Sequence, residues 1–487
     1  MNRLKQVVTI IVVLILGAII LIGPLVSGLV LERDFGSILG ALSEPNRWSL
    51  VEAEFRRGWF NSESRSILTF EGELAKQIQE VRPSGDSEPF QVTLVHRIKH
   101  GPVLDMGRSS LLPAAALVET DIEFSPNTRQ WFQALFGKES PLRLRTLVRL
   151  DGEMISRIES PEVQGEPKEG AKVNWQGMGG TLEIGSARNT LRGGLKIPLL
   201  ELTNDAGQLR FEQFEIRLDY QRHQAGLWLG DIDLDLKKLN FIFPEKAERQ
   251  GFSFSGLNAA STSREEKNTL NALIAIDLDE LSLGGYLLGS SGFTVELRGV
   301  DFFSFSRLYD KLRYLERQPE INNSQIDDEV KKIITEQLPG LMRHSPEVGI
   351  TRLNLKTPRG EIQGKFRMVI SGEEHTWSIT PLEILQRLGV EMELSAPSPI
   401  VTDFFQARAI NEIIGQSEFN DKSIDREQLI QVARNTAEQS LAALVGERLL
   451  LLSNDRYSTQ ATLIKGKINI NGRSRDDLFG ILKGRAN

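Results

Sequence analysis

Hydrophobic and polar positions run along this chain in three rhythms. The first is unbroken: Val7–Leu31 holds no Asp, Glu, Lys, Arg or His across 25 positions. About 20 apolar residues cross a bilayer core, so the run is long enough to span one with some tilt. Arg3 and Lys5 precede it; Glu32, Arg33 and Asp34 follow. Basic residues stay on the cytoplasmic side. The expected layout is a cytoplasmic N-terminus at 1–6, a transmembrane anchor at 7–31 and a membrane-proximal linker at 32–47. The rest then lies in the periplasm, single-pass on the inner membrane. A cleaved signal peptide is the alternative, but its apolar region usually runs only about 7–15 residues. Either way the bulk reaches the same compartment.

The second rhythm is alternation, the mark of half-buried strands. It covers Trp48–Phe55, Ser66–Phe70, Gln91–His100, Lys172–Ile184, Gly194–Leu202, Leu209–Tyr220 and Gly226–Phe243. Leu142–Leu150 and Glu153–Ile158 flank Asp151-Gly152, a strong short hairpin signal. In Gly226–Phe243 the apolar step from Leu229 to Ile232 is odd, which predicts a bulge at Gly230. Between the first two strands lies the turn Arg57–Ser62. Its Trp59 and Phe60 are expected to pack back on the sheet rather than form a binding edge. The blocks Leu209–Phe243, Ala272–Val300 and Gly349–Ile370 share a rhythm that suggests an internal repeat.

The third rhythm is helical. Asn127–Phe136 reads so, with Trp131, Leu135 and Phe136 on one side, and so does Phe302–Leu315. Gln325–Gln337 follows, closed by Pro339-Gly340. Ser398-Pro399 supplies an N-cap and a first-turn proline. Asp425–Leu452 carries the stripe Ile430, Ala433, Ala437, Leu441, Leu444 and Val445. Strands in series with helices late argue against βαβ winding. The predicted class is α+β and β-rich: an N-terminal transmembrane helix, then a large curled antiparallel sheet with helices mainly from the last third packed on it. Residues 48–300 form a β-rich periplasmic region, and 301–487 an α+β region completing the same fold.

Composition narrows the function. With 58 Lys and Arg against 65 Asp and Glu, the formal charge is −7, too balanced for a nucleic-acid binder. Cysteine is absent, so core and sheet ladders hold the fold, and thiolate chemistry is ruled out. His96 and His100 share one face of a strand, about 13 Å apart, too far to hold one metal ion by themselves. They read as partly buried ring fillers. Asp231, Asp233 and Asp235 fall on one face, with Asp277 and Asp279 repeating the pattern. Such a row could hold a hard cation, or pair across strands with Arg or Lys, for example near Arg217. No glycine cluster has the spacing of a phosphate or dinucleotide loop, and none forms a nucleophile elbow. No catalytic, cofactor-binding or metal residue is therefore assigned.

Several segments look familiar together. The N-terminal apolar run, Arg57-Gly58-Trp59-Phe60-Asn61-Ser62 and Ile98-Lys99-His100-Gly101-Pro102 resemble the DUF945 (YdgA-like) family of Gram-negative envelope proteins. Thr357-Pro358-Arg359-Gly360 and Lys465-Gly466-Lys467-Ile468-Asn469-Ile470-Asn471-Gly472 are similar to its C-terminal half. The resemblance covers nearly the whole chain. It implies an inner-membrane-anchored periplasmic protein with no assigned activity, and carries over no site residue. The expected function is non-enzymatic: binding or guiding an apolar or extended ligand, lipid or polypeptide, on a large sheet. A structural or assembly factor acting through envelope protein partners is the alternative, and a hydrolase ranks behind both. The membrane is a partner through residues 7–31, and oligomeric state is left open.

Overall fold

A computed structural model of the protein describes residues 48–71, 91–101, 103–105, 111–123, 129, 133, 136–137, 140–168, 170–204, 207–242, 251–283, 286–316, 323–372, 386–417 and 426–475. The chain divides into two compact units, residues 1–248 with 312–326, and residues 249–311 with 327–487.

The first unit contains β1 (Trp48–Arg57), β2 (Asn61–Phe70), β3 (Gln91–His100), β4 (Val103–Asp105), β5 (Leu111–Glu123), β6 (Arg143–Arg149) and β7 (Met154–Ser160). After these come β8 (Val163–Lys168), β9 (Ala171–Trp175), β10 (Met178–Ile184), β11 (Thr190–Asn204), β12 (Gly207–Arg222) and β13 (Trp228–Ile242). Antiparallel pairing runs β1-β2-β3-β5-β6-β7-β10-β11-β12-β13. The far half of β11 pairs instead with β9, which pairs with β8. Local chemistry explains the turns. Gly152 adopts φ +87° and donates its N–H to Arg149 O at 3.1 Å, closing the β6–β7 hairpin through the left-handed region that glycine enters without strain.

This unit's core lies on β3, β5 and β6. Ile98, Ala116 and Val118 cluster with Phe55 and Val148 packed against them. Ala114, Leu117 and Leu147 form a second cluster. Alternation puts Leu117 on the opposite face from Ala116 and Val118, so these strands are buried on both sides.

The expected bulge at Gly230 is absent. Gly230 faces Tyr220 in unbroken register, between Leu229↔Gln221 and Asp231↔Asp219. A Cβ there would lie 2.0 Å from Asp219 O. The glycine itself occupies the apolar-face position, which is why Leu229 to Ile232 looked out of step.

In the second unit, β14 (Phe252–Glu266) pairs at one end with β16 (Glu280–Leu283) and at the other with β15 (Thr269–Leu278). β17 (Tyr286–Leu288) pairs with β16. From β15 the ladder continues through β18 (Ser291–Asp301), β19 (Glu347–Thr357), β20 (Gly360–Ile370) and β21 (Leu388–Pro397). It then takes in β23 (Arg456–Ile464), β24 (Lys467–Ile470) and β25 (Arg473–Ser474), with β22 (Leu451–Ser453) also on β23.

The described helices are α1 (Phe302–Glu316), α2 (Asn323–Leu341), α3 (Ser398–Ser417) and α4 (Arg426–Gly446). They correct the predicted class. Among the described residues strand outweighs helix, 62% to 21%, and the protein is mostly antiparallel sheet. α3 and α4 bury their small residues against each other: Ala409 on α3, and Ala433, Ala437 and Leu441 on α4, are buried. α3 also touches β21 and β23. The transmembrane helix is likewise not shown: none among the described residues is long and apolar enough to cross a membrane. Residues 7–31 and the linker to 47 lie outside the described residues, as does most of Asn127–Phe136.

Two helix ends differ from expectation. α2 passes through Pro339, and beyond it Met342 N–H still reaches Leu338 O at 3.1 Å. Gly340 is required there, since a Cβ would meet Ser304 Oγ of α1 at 2.3 Å. α4 stops at Gly446, short of Leu452. Arg448 turns left-handed at φ +56°, and the amides of Leu449 and Leu450 both reach back to Leu444 O. Leu451 and Leu452 then enter β22.

Candidate functional site

The register of the first unit aligns one side chain from each of ten strands in a single row. It reads Phe55, Ser64, His96, Thr120, Leu144, Ile158, Gly180, Leu195, Ile216, Leu234. On the same face, two residues along, the next row ends Leu182, Gly193, Leu218, Ile232. Ile197, Phe214 and Leu236 align on the other flank. One face thus changes character across the sheet, from a polar seam on β2, β3 and β5 to an apolar field on β10–β13.

The seam is buried. Ser62, Ser64, Ser66, His96, His100 and Thr120 are all sequestered from solvent. His96 is held on both ring nitrogens, Nε2 to Ser66 Oγ at 3.0 Å and Nδ1 to Thr120 Oγ1 at 2.9 Å. His100 Nε2 meets Ser62 Oγ at 2.8 Å. Among the described residues its Nδ1 and Ser64 Oγ have no hydrogen-bond partner. Burial disfavours the charged ring, pushing His96 from 6.5 to about 4 and lowering His100 as well. A Ser–His–Asp triad needs a carboxylate on Nδ1 to orient the base. Thr120 stands in that place at His96. The seam is a set of hydroxyl-bonded neutral imidazoles inside the sheet. Its serines, unremarked in the sequence, were legible as the period-2 run Ser62, Ser64, Ser66.

The apolar field is built differently. Leu182, Leu195, Ile197, Phe214, Ile216, Leu218, Ile232 and Leu234 are each half-buried, and Leu236 on β13 is buried. Gly180 and Gly193 leave gaps over which Leu195 and Leu182 lean: an added Cβ would come within 2.9 and 3.1 Å of their Cδ1 atoms. The reverse side carries charge. Arg192 pairs with Asp219 at 3.0 Å, Lys196 with Glu215 at 3.1 Å, and Arg217 with Asp235 at 3.3 Å. Asp235 of β13 therefore joins a cross-strand ion ladder, as Asp277 does with Arg352 at 2.8 Å in the second unit. Among the described residues no group of three or more His, Asp or Glu could hold a metal ion.

In the second unit a hollow of about 790 Å³ lies over β19, β20, β21 and β23. Gly364 lines it between Leu353 and Leu394, whose Cδ atoms would stand 3.1 and 3.2 Å from an added Cβ.

These features define an antiparallel-sheet protein that separates an apolar face from an ion-paired one. No curated protein and no solved structure matches the chain. Residues 4–475 match the family described as bacterial protein of unknown function, DUF945, and the chain belongs to that family.

Proposed function

We propose that this protein is a non-enzymatic binder that holds an apolar or extended ligand, a lipid chain first and a polypeptide second, along the apolar field of β10–β13. The observation carrying this reading is the half-burial of Leu195, Ile216 and Leu234 in one cross-strand row and of Leu182, Leu218 and Ile232 in the next. Contiguous partly open apolar surface marks interaction sites, and a sealed core would bury such residues outright, as it does Ile98 and Leu147. The hollow beside Gly364 falls in the size range of ligand sites, roughly 300–1,000 Å³. Gentle extraction followed by mass spectrometry is expected to recover a lipid in stoichiometric amount. Ile216→Asp is expected to weaken binding of a fluorescent fatty-acyl probe at least about tenfold, because a carboxylate must be desolvated against the chain. Wild-type protein that carries no lipid and ignores the probe would overturn the reading.

We also place the protein at the inner membrane through residues 7–31, with its bulk in the periplasm, on the absence of ionisable side chains over that run. Leu16→Asp with Ile20→Lys is expected to move the protein from the membrane to the soluble fraction on cell fractionation. A C-terminal reporter active only in the cytosol would contradict the placement.

A further inference from the structure

One rim of the first unit gathers four hairpin turns. The registers put the turns β1–β2, β6–β7, β10–β11 and β12–β13 at the same end of the sheet: Arg57↔Ser62, Val148↔Met154, Ile184↔Leu191 and Arg222↔Trp228 close them. The turns are tied together, with Phe60 O accepting from His100 N–H at 2.8 Å and Asn189 O from Arg222 N–H at 2.6 Å. Ten strands at about 4.8 Å spacing make this rim about 45 Å long.

Its tips are apolar and aromatic. Trp59 is 51% exposed, Phe60 48%, Leu150 63% and Trp228 41%. The turn at Gly58 enforces the first two: Gly58 N–H bonds Asn61 O at 2.9 Å, and a Cβ on Gly58 would lie 2.4 Å from that oxygen. The aromatics expected to fold back on the sheet thus stay about half exposed. Between them stand Arg57, Arg188 and Arg222, all exposed. Among the described residues of these four turns the acids are Asp151 and Glu153, and Glu153 is engaged by Arg149 at 2.6 Å.

We propose that this rim docks on the surface of an anionic lipid bilayer. Tryptophan and phenylalanine at the tips suit the headgroup layer, where one side of the ring meets acyl chain and the other water. Arginines interleaved among them meet lipid phosphates and anionic headgroups. Both features coincide on one edge, while the chain enters the sheet at Trp48, at the other end of β1. The proposal does not rest on ligand binding in the apolar field.

The chain has no cysteine, which makes single labels clean. Leu150→Cys on the rim, and Ile242→Cys at the opposite end of β13 (48% exposed), are each tagged with an environment-sensitive fluorophore in the full chain. The chain is reconstituted into vesicles of phosphatidylcholine alone or mixed with phosphatidylglycerol. The Leu150→Cys label is expected to shift to the blue, and to be quenched by brominated acyl chains, only with phosphatidylglycerol. The Ile242→Cys label should not respond. Replacing Arg57, Arg188 and Arg222 by Gln should raise the phosphatidylglycerol needed for half-maximal shift, by about fivefold per arginine at about 1 kcal/mol each. A rim label indifferent to phosphatidylglycerol, equal shifts at both labels, or an unchanged response in the well-folded arginine variant would each overturn the proposal.

Discussion

Taking the protein from pH 6.5 to pH 4 is expected to remove about 3 kcal/mol of stability through His96 alone. The ring is buried and neutral in the folded sheet, with its value pushed from 6.5 down to about 4. In the unfolded chain it protonates near 6.5. Between these values the unfolded state binds more protons, so stability falls as pH falls. At about 1.4 kcal/mol per pH unit, the window is worth about 3 kcal/mol, and His100 adds in the same direction. Desolvation causes this, because Ser66 and Thr120 could each turn to accept from a charged ring. Carboxylates act later. Arg367 holds Glu347 below its ordinary 4.5, so that contribution disappears only at lower pH. Urea titrations at pH 7 and pH 4.5 measure the effect. His96→Phe should cost about 2 kcal/mol at pH 7 by orphaning two buried hydroxyls, and should flatten the dependence above pH 4.5. A slope unchanged by that substitution would show that His96 is not the source.

Gly101→Ala is expected to be more damaging at any pH. Gly101 follows the seam's His100 and donates its N–H to Ala115 O at 2.7 Å. A Cβ on Gly101 would stand 1.6 Å from Ala114 O and 2.8 Å from its carbon. Both are backbone atoms of β5, so no side-chain rotation relieves the overlap. β3 and β5 must separate, opening the contacts of Ile98 with Ala116 and Val118. The expected loss is about 4 kcal/mol, at the severe end for a point change, seen as a lowered urea midpoint or as failure to accumulate folded protein. Gly179→Ala on β10, where an added Cβ meets nothing within 4 Å, should change stability by less than about 1 kcal/mol. Equal behaviour of the two variants would show that the close approach at Gly101 is not what requires glycine.

Much of this was readable along the chain. Strict alternation in Gln91–His100 and Leu209–Tyr220 marked strands, because side chains of a pleated backbone point to opposite faces in turn. Asp151-Gly152 and Thr357–Gly360 marked hairpins through residues suited to tight turns. The row Asp231, Asp233, Asp235 announced a polar face, and Arg217, expected beside it, pairs with Asp235 at 3.3 Å. Helix ends were less legible. Pro339 did not stop its helix, which runs on to Leu341, and the end of α4 was set by Arg448, a residue with no turn signature.

Local pattern thus determined strand, turn and face, together with a cysteine-free composition and an apolar N-terminal run. Only the tertiary register decided the rest. It set Ser64 and Thr120 on either side of His96, carried that row into Leu195, Ile216 and Leu234, and brought Trp59, Leu150 and Trp228 to one edge. The physical reason is distance along the chain. Alternation fixes which way a side chain points, but its neighbours across the ladder come from pairings tens of residues away, which no local rhythm encodes.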